Sequence, residues 1–186
     1  MPNIAEAKIL IISTHGFEQS ELEFPRDQLR AKGAEVHVAT LDGKAIKGWD
    51  GDDWGRDAEA DLKIADADPT QYDAVVIPGG QINPDLLRVE EPVLALVRAF
   101  AKEGKVIAAV CHAPWVLIEA DIVSGREVTS YKSIKTDVVN AGGRWMDEPV
   151  VCDSGIVTSR NPNDLKHFVS KIVEEIEEGR HNKKAA

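Results

Sequence analysis

The sequence is poor in cysteine and has no long apolar segment, and both shortages narrow the class of protein. Its 186 residues contain two cysteines, Cys111 and Cys152, which excludes a disulfide framework. No CxxC pair or cluster of histidine and cysteine is present, so we expect neither a structural zinc site nor another metal or cofactor. No apolar run approaches the roughly 20 residues of a membrane helix. The first residues, MPNIAEAK, lack the basic and apolar regions of a signal peptide, so we expect a cytoplasmic protein.

Basic residues are also in deficit. The chain has 22 Lys and Arg against 32 Asp and Glu, which gives a formal net charge of −10. An acidic balance of this size disfavours nucleic acids and anionic membranes as partners. No internal repeat, low-complexity segment or linker divides the chain. We therefore predict that residues 1–186 form a single domain.

What the chain does contain is an alternation of short apolar runs and amphipathic segments. Strands are predicted at residues 8–13, 35–40, 72–77 and 106–110, with a hairpin at 150–159. Helices are predicted at residues 20–32, 91–104, 114–120 and 133–141 and from 162 onward. Ser20 and Glu23 have the spacing of a capping box at the start of the first helix. This order of elements is typical of an α/β protein with a mostly parallel sheet and helices on both faces.

The segment AAVCHAP, residues 108–114, is the strongest functional signal. Cys111 follows an apolar strand directly, and Pro114 opens a helix. A turn of this kind lies at the carboxyl edge of the sheet, beside the positive end of a helix. That position favours the thiolate, so Cys111 is predicted to be a nucleophile with a lowered pKa. Cys152 falls in the predicted hairpin and is interpreted as a structural residue.

Two loops after other buried strands supply candidate acid and base groups for Cys111. His112 is adjacent in sequence, and His15, in the loop after the first strand, is the alternative base. Glu18 lies in the same loop as His15. Beside a thiolate its pKa should rise, so that the protonated carboxyl can donate a hydrogen bond to sulfur.

The loop after the strand at 72–77 supplies backbone donors. Gly79 and Gly80 let N–H groups approach a substrate closely. Together with the amide that follows Cys111, they can form an oxyanion hole for a tetrahedral intermediate.

The chain resembles the PfpI-type intracellular cysteine peptidases, known in bacteria as general stress proteins. The segments that carry the resemblance are GFEQSELEFPRDQLRAKG, DAVVIPGG, IAAVCHAPWVLIEA, GREVTSY, NAGGRWMDEPVVCDSGIVTSR and NPNDL. This family belongs to the superfamily of the parkinsonism-associated deglycase and of the class I glutamine-amidotransferase-like fold. The resemblance implies a flavodoxin-like three-layer α/β/α sandwich and a homodimer or larger even oligomer.

The resemblance also assigns roles to residues. It implies Cys111 as nucleophile on an elbow, His112 as its base and Glu18 as the carboxyl hydrogen-bonded to sulfur. The amides of Gly80 and His112 would be the oxyanion donors. An acidic residue just past PGG reaches the histidine across a subunit contact in this family, and Asp85 is the matching position here.

Two further positions concern the shape of the site. The family usually has glycine after the Cys-His pair, where this chain has Ala113. Trp115, close by, is expected to narrow the pocket. Its indole would then limit the substrates that reach the cysteine.

Three functions are compatible with these features. The first is a cysteine-dependent hydrolase in stress protection, acting on peptides or on amines modified by aldehydes. The second is a redox-responsive stress protein in which Cys111 is oxidised and turnover is weak or absent. The third, a chaperone or scaffold with an incidental cysteine, has the least support, because no apolar stripe exceeds what the core helices require.

Overall fold

The computed structural model describes residues 3–180, so both ends of the predicted 1–186 domain lie outside the described residues. The strands are β1 (Lys8–Ile12), β2 (Phe17–Glu18), β3 (Glu35–Thr40), β4 (Ile46–Asp50), β5 (Asp53–Ala58), β6 (Leu62–Lys63), β7 (Ala74–Ile77), β8 (Val106–Val110), β9 (Glu127–Val128), β10 (Arg144–Trp145), β11 (Val150–Asp153) and β12 (Ile156–Ser159). The helices are α1 (Gln19–Ala31), α2 (Ile82–Leu87), α3 (Glu91–Lys102), α4 (Pro114–Glu119), α5 (Lys135–Asn140) and α6 (Leu165–Glu178).

A seven-stranded sheet with the order β11-β12-β8-β7-β1-β3-β6 forms the centre of the fold. All neighbouring strands in it are parallel except β11 and β12, which form the predicted hairpin. The loops that contain His15, Gly79 and Cys111 follow β1, β7 and β8, which are consecutive in the sheet in the order β8-β7-β1. Their carboxyl ends meet at one edge, as a doubly wound sheet requires for a binding site.

Both faces of the sheet are covered, which confirms the three-layer α/β/α architecture. Because side chains alternate along a strand, Ile9 and Ile11 of β1 pack in one core with α1 and α6. Leu10 and Ile12 pack on the other face, with α3 and α4. Continuous apolar strands such as KILII are buried on both sides for this reason.

Helix α1 begins differently from the prediction. It starts at Gln19, and its N-cap residue Glu18 makes no side-chain capping hydrogen bond. The predicted capping box at Ser20 and Glu23 is absent, because Glu23 instead forms an ion pair with Arg56 on β5. The shift by one residue matters for the site, since it changes which acidic side chain faces the sheet.

Two segments were incompletely predicted from sequence. The weakly patterned region 41–69 forms the β4–β5 hairpin, which pairs with β2 in a separate three-stranded sheet at the carboxyl edge. Helix α2, a short helix directly after PGG, has no amphipathic repeat long enough to be recognised. Both segments border the candidate site described below.

No helix in the described part of the chain is long and apolar enough to cross a bilayer.

Candidate active site

Cys111 occupies a strained turn between β8 and α4. Its φ of 64° lies in the left-handed region, which residues other than glycine rarely adopt. The backbone is held from both sides: its N–H donates to the Ser159 carbonyl at 3.0 Å, and its carbonyl accepts from the Tyr131 N–H at 2.8 Å. The predicted elbow is therefore present. Backbone strain of this kind is common at functional sites.

His112 turns back toward the sulfur of its neighbour. Its Nδ1 lies 3.1 Å from the Cys111 Sγ, a contact that consecutive residues make only because of the left-handed turn. Burial lowers the pKa of His112, so the imidazole is neutral at physiological pH and can accept a proton from the thiol. Of the two candidate bases, the structure brings His112 to the cysteine.

His15 lies elsewhere. Its ring is exposed, and Nδ1 accepts a hydrogen bond from the Lys47 N–H on β4 at 3.0 Å. His15 is not among the residues that line the cavity containing Cys111. The prediction of His15 as a site residue is wrong.

The carboxyl beside the sulfur belongs to Glu21. This side chain is fully buried, interacts with the Cys111 sulfur, and accepts the Gly79 N–H on Oε2 at 2.8 Å. The assignment of this role to Glu18 is wrong by one helical turn, because α1 starts at Gln19 and directs Glu21 toward the sheet. A sequence signal existed: Glu21, Pro25 and Leu29 share the buried face of α1 at intervals of four residues.

Glu18 has a different position, in the wall of the cavity. It lies on β2, half-buried, and its carboxylate accepts a hydrogen bond from the Gly51 N–H of the β4–β5 turn. Burial raises the pKa of Glu18, and the charge of Asp50 raises it further. It faces the substrate space and is not paired with the sulfur.

Burial dominates the electrostatics of the Cys111–Glu21 pair. Burial raises the pKa of Glu21 to about 8, with a smaller contribution from the charge of Glu18. Burial, and the charge of Glu21 when it is ionised, also raise the pKa of the Cys111 thiol. The amides of Gly80 and His112 act in the opposite direction.

The prediction from the sequence that the pKa of the Cys111 thiol is lowered is therefore wrong. Cys111 has only 6% of its surface exposed. The loss of hydration raises the pKa of its thiol more than the hydrogen bonds from the two amides lower it. At neutral pH both members of the pair hold their protons. A reactive sulfur then requires a base at the moment of attack, and His112 is in place for that.

The backbone amides of the PGG turn differ in their surroundings: that of Gly79 binds Glu21, and that of Gly80 lies near both Glu21 and the Cys111 sulfur. The Gly79 N–H is already engaged by Glu21, so it is not available as an oxyanion donor. The Gly80 N–H faces the sulfur together with the His112 N–H, which agrees with the predicted oxyanion pair. A Cβ at Gly80, whose φ is +80°, would lie 2.5 Å from the Gly16 carbonyl oxygen.

The outer nitrogen of His112 contacts Ser133, which the sequence did not suggest. Nε2 lies 3.1 Å from the Ser133 Oγ, and the imidazole stacks on Tyr131 with ring centroids 4.8 Å apart. Ser133 is in a short 3-10 turn 21 residues away, where no local motif marks it. A hydroxyl both donates and accepts, so it can pair with Nε2 in either tautomer of the ring.

Asp85 does not contact His112 within the chain. It lies on α2, is exposed, and forms an ion pair with Arg88 at 2.6 Å. Its predicted role across a subunit contact stays a prediction.

Trp115 lies behind the imidazole. Its ring meets His112 edge-on at 5.1 Å, its indole N–H donates to Asp137, and the Arg88 guanidinium lies over its face. Trp115 is not among the residues that line the cavity, so the expectation that it narrows the pocket is wrong.

These groups surround a cavity of about 640 Å³ at the carboxyl edge of the sheet, lined by Glu18, Glu21, Trp49, Gly80, Cys111 and His112, among others. The volume suits a small molecule or a single modified side chain. The one group of described acidic residues close enough together to hold a metal ion is Glu174, Glu175 and Glu178 on α6. None of the three lines this cavity.

Fold and site define a class: α/β sandwiches with a cysteine on a left-handed strand–helix turn beside a histidine and a buried carboxyl. Residues 7–175 match the DJ-1/PfpI family, and the chain belongs to it. It is 37% identical over 166 residues to Deglycase PfpI of Pyrococcus furiosus, covering 89% of this chain and 97% of the relative. It is 39% identical over 163 residues to Protein/nucleic acid deglycase 2 of Escherichia coli, covering 87% and 92%. The crystal structure of Drosophila melanogaster DJ-1beta superposes with a TM-score of 0.83 at 32% identity, covering 93% of this chain and 95% of that one.

Proposed function

We propose that this protein is a cysteine-dependent hydrolase of stress protection that removes aldehyde-derived adducts from amines. The observation that carries the proposal is the 3.1 Å contact between the Cys111 Sγ and the His112 Nδ1 at the cavity wall, with the Gly80 and His112 amides facing the sulfur. Relatives of the chain named as deglycases support the choice of substrate.

The covalent step is attack of Cys111 on a carbonyl carbon. The Cys111 sulfur forms a bond to carbon as His112 Nδ1 takes the thiol proton, and the carbonyl π electrons move to oxygen. The Gly80 and His112 N–H groups stabilise that oxyanion. Ser133 can accept from Nε2 before the transfer and after it, so the imidazole keeps its orientation throughout.

The amine leaves before this attack, and hydrolysis follows it. In a carbinolamine formed from an α-ketoaldehyde, the carbon–nitrogen bond breaks as the hydroxyl oxygen becomes the aldehyde carbonyl and its proton passes to the nitrogen. Cys111 attacks that aldehyde carbon, and the resulting oxyanion takes the proton held by His112. The carbon that remains on sulfur is a hemithioacetal, which becomes a thioester when one proton moves between its two neighbouring carbons. Water then cleaves the thioester. The sum is adduct plus water giving free amine and a hydroxy acid, with no external oxidant or reductant.

The test compares two cysteine variants. Cys111→Ser should abolish release of free amine from methylglyoxal-treated Nα-acetyl-arginine, while Cys152→Ser, on β11 outside the cavity, should keep it. Amine and hydroxy acid are both quantified by chromatography, and circular dichroism checks that each variant is folded. Full activity in Cys111→Ser would refute the proposal.

A redox-responsive role is a second candidate, favoured by the same buried carboxyl. Glu21, protonated up to a pH of about 8, can donate a hydrogen bond to an oxygen added to the sulfur. Mass spectrometry after peroxide treatment distinguishes the two roles. Selective oxidation of Cys111 over Cys152, without hydrolysis of any adduct, would favour the sensor.

We further propose that the protein forms a homodimer through the surface around α2. Ile82, Leu86 and Val89 are exposed there, with Val89 74% accessible, and Ile82 also lines the cavity. Such a contact would give Asp85 a route to the partner's site. Sedimentation of the wild type and of Leu86→Glu tests this, and a wild type that is monomeric at micromolar concentration would contradict it.

A further inference from the structure

The wall of the cavity contains acidic side chains and no positively charged one. Glu18 and Glu21 are among its lining residues, and none of the described residues in the wall is lysine or arginine. Its one imidazole, that of His112, is neutral because burial lowers its pKa. An anionic group that entered here would meet no cation.

Acidic residues continue onto the rim of the cavity. The turn of the β4–β5 hairpin places Asp50, Asp52 and Asp53 beside Gly51, which is part of the wall. None of these three aspartates forms an ion pair with a described residue. The charge of Asp50 acts on the carboxyl of Glu18, so the negative field of the rim reaches the wall of the cavity.

Two arginines close to residues of the wall already have acidic partners. Arg56, on the same hairpin, pairs with Glu23 at 2.6 Å, and Arg160, close to Pro162 of the wall, pairs with Asp164 at 2.8 Å. Because each is engaged by its partner, neither is free to bind an anionic substrate.

Two further features suit a planar cation. The Trp49 ring lines the cavity and is held by its indole N–H, which donates to the Gly51 carbonyl at 2.9 Å. An indole face is the best aromatic surface for a guanidinium. Glu18, half-buried in the same wall, offers carboxylate oxygens to the N–H groups of that guanidinium.

We propose that this cavity selects adducts on positively charged groups, above all the guanidinium of arginine side chains, and rejects adducts on nucleotides, whose phosphates are anionic. The inference rests on the proposed deglycase function and narrows its substrate class. The guanidinium stacks on Trp49 and donates to Glu18, while the modified carbon lies at Cys111. One relative of the chain is named for both protein and nucleic acid deglycation, so the selection distinguishes between those two substrates.

The kinetic test uses three methylglyoxal adducts that differ in charge: those of Nα-acetyl-arginine amide, guanosine and GTP. We expect kcat/KM for the arginine adduct to exceed that for the GTP adduct at least tenfold. The guanosine adduct, which shares its base with GTP but lacks phosphate, should fall between them. The ratio of arginine to GTP should shrink when salt rises from 20 to 500 mM. Equal rates for guanosine and GTP adducts would overturn the inference.

Variants of the wall residues test which side chains produce the preference for the arginine adduct. Glu18→Gln should lower the preference for the arginine adduct over the guanosine adduct about tenfold. Glu6→Gln, an exposed carboxylate before β1 at the opposite edge of the sheet, removes the same charge and should leave the preference unchanged. Trp49→Phe should keep most of the preference and Trp49→Leu should lose it. An unchanged preference in Glu18→Gln would also overturn the inference.

A binding measurement separates this inference from the proposed function. Quenching of tryptophan fluorescence in Cys111→Ser reports binding of unmodified Nα-acetyl-arginine amide and of GMP without any turnover. Tighter binding of the arginine probe with no turnover of any adduct would retain the charge selection and refute the deglycase. Equal or tighter binding of GMP would refute the selection, whatever the enzyme does.

Discussion

Replacing Glu21 by glutamine should change how the stability of the protein depends on pH. The carboxyl is fully buried, and its pKa rises from 4.5 in a solvated chain to about 8 in the fold. Between these values the folded state holds a proton that the unfolded state has lost. The contribution of Glu21 to stability is therefore fully present below pH 4.5 and is lost as pH rises toward 8.

The size of the effect follows from the pKa window. Each pH unit between the two pKa values changes the free energy of unfolding by about 1.4 kcal/mol. From pH 5.5 to pH 7.5 the wild type should lose about 2.5 kcal/mol that Glu21→Gln keeps. The amide oxygen of the substituted side chain can still accept the Gly79 N–H, so the hydrogen bond at this position survives the exchange.

Urea denaturation at both pH values, for wild type and variant, measures this difference. His112 has a lowered pKa and therefore gives an opposite slope, but it is present in both proteins and cancels in the subtraction. Glu6→Gln, an exposed carboxylate, is the matched control and should follow the wild type. If Glu21→Gln and the wild type lose stability in parallel between these pH values, Glu21 is ionised in the fold and the description of the site is wrong.

Two further predictions concern the groups around the sulfur. Ser133→Ala leaves the His112 Nε2 without its partner at 3.1 Å, so kcat should fall about tenfold with KM unchanged, and Ser133→Thr, which keeps the hydroxyl, should restore it. Equal kcat values for the alanine variant and the wild type would remove Ser133 from the mechanism. Gly80→Ala adds a Cβ 2.5 Å from a carbonyl oxygen and should cost more than about 2 kcal/mol of stability, measured by urea denaturation. Gly125→Ala, where φ is +76° but nothing lies within 4 Å, isolates the conformational penalty and should cost about 1 kcal/mol.

Much of the fold follows from local patterns in the sequence. Uninterrupted apolar runs such as KILII and VIAAV identify the buried parallel strands, because only a strand covered on both faces needs so many apolar residues. The turn at Cys111 was recognisable from the strand before it and from Pro114 after it. The β4–β5 hairpin was not placed, because four glycines and many aspartates between residues 41 and 61 leave no clear period.

The partners of Cys111 were harder to predict, since they depend on how helices and loops meet the sheet. Glu18 and Glu21 both lie near the start of α1, and the residue at which the helix begins decides which of them points inward. Ser133 lies in the loop that follows β9 and contacts His112, and no residue spacing in the sequence indicates that contact. The direction in which the pKa of the Cys111 thiol shifts also depends on burial, which a sequence motif does not reveal.

The left-handed backbone of Cys111 has a consequence for how this chain can change over time. Glycine adopts this φ of 64° without penalty, whereas cysteine carries a cost of about 1 kcal/mol at every moment, with or without substrate. Replacing Cys111 with glycine would remove this cost. Selection for stability alone would therefore favour glycine at position 111, and a cysteine in this conformation is consistent with a role for its thiol.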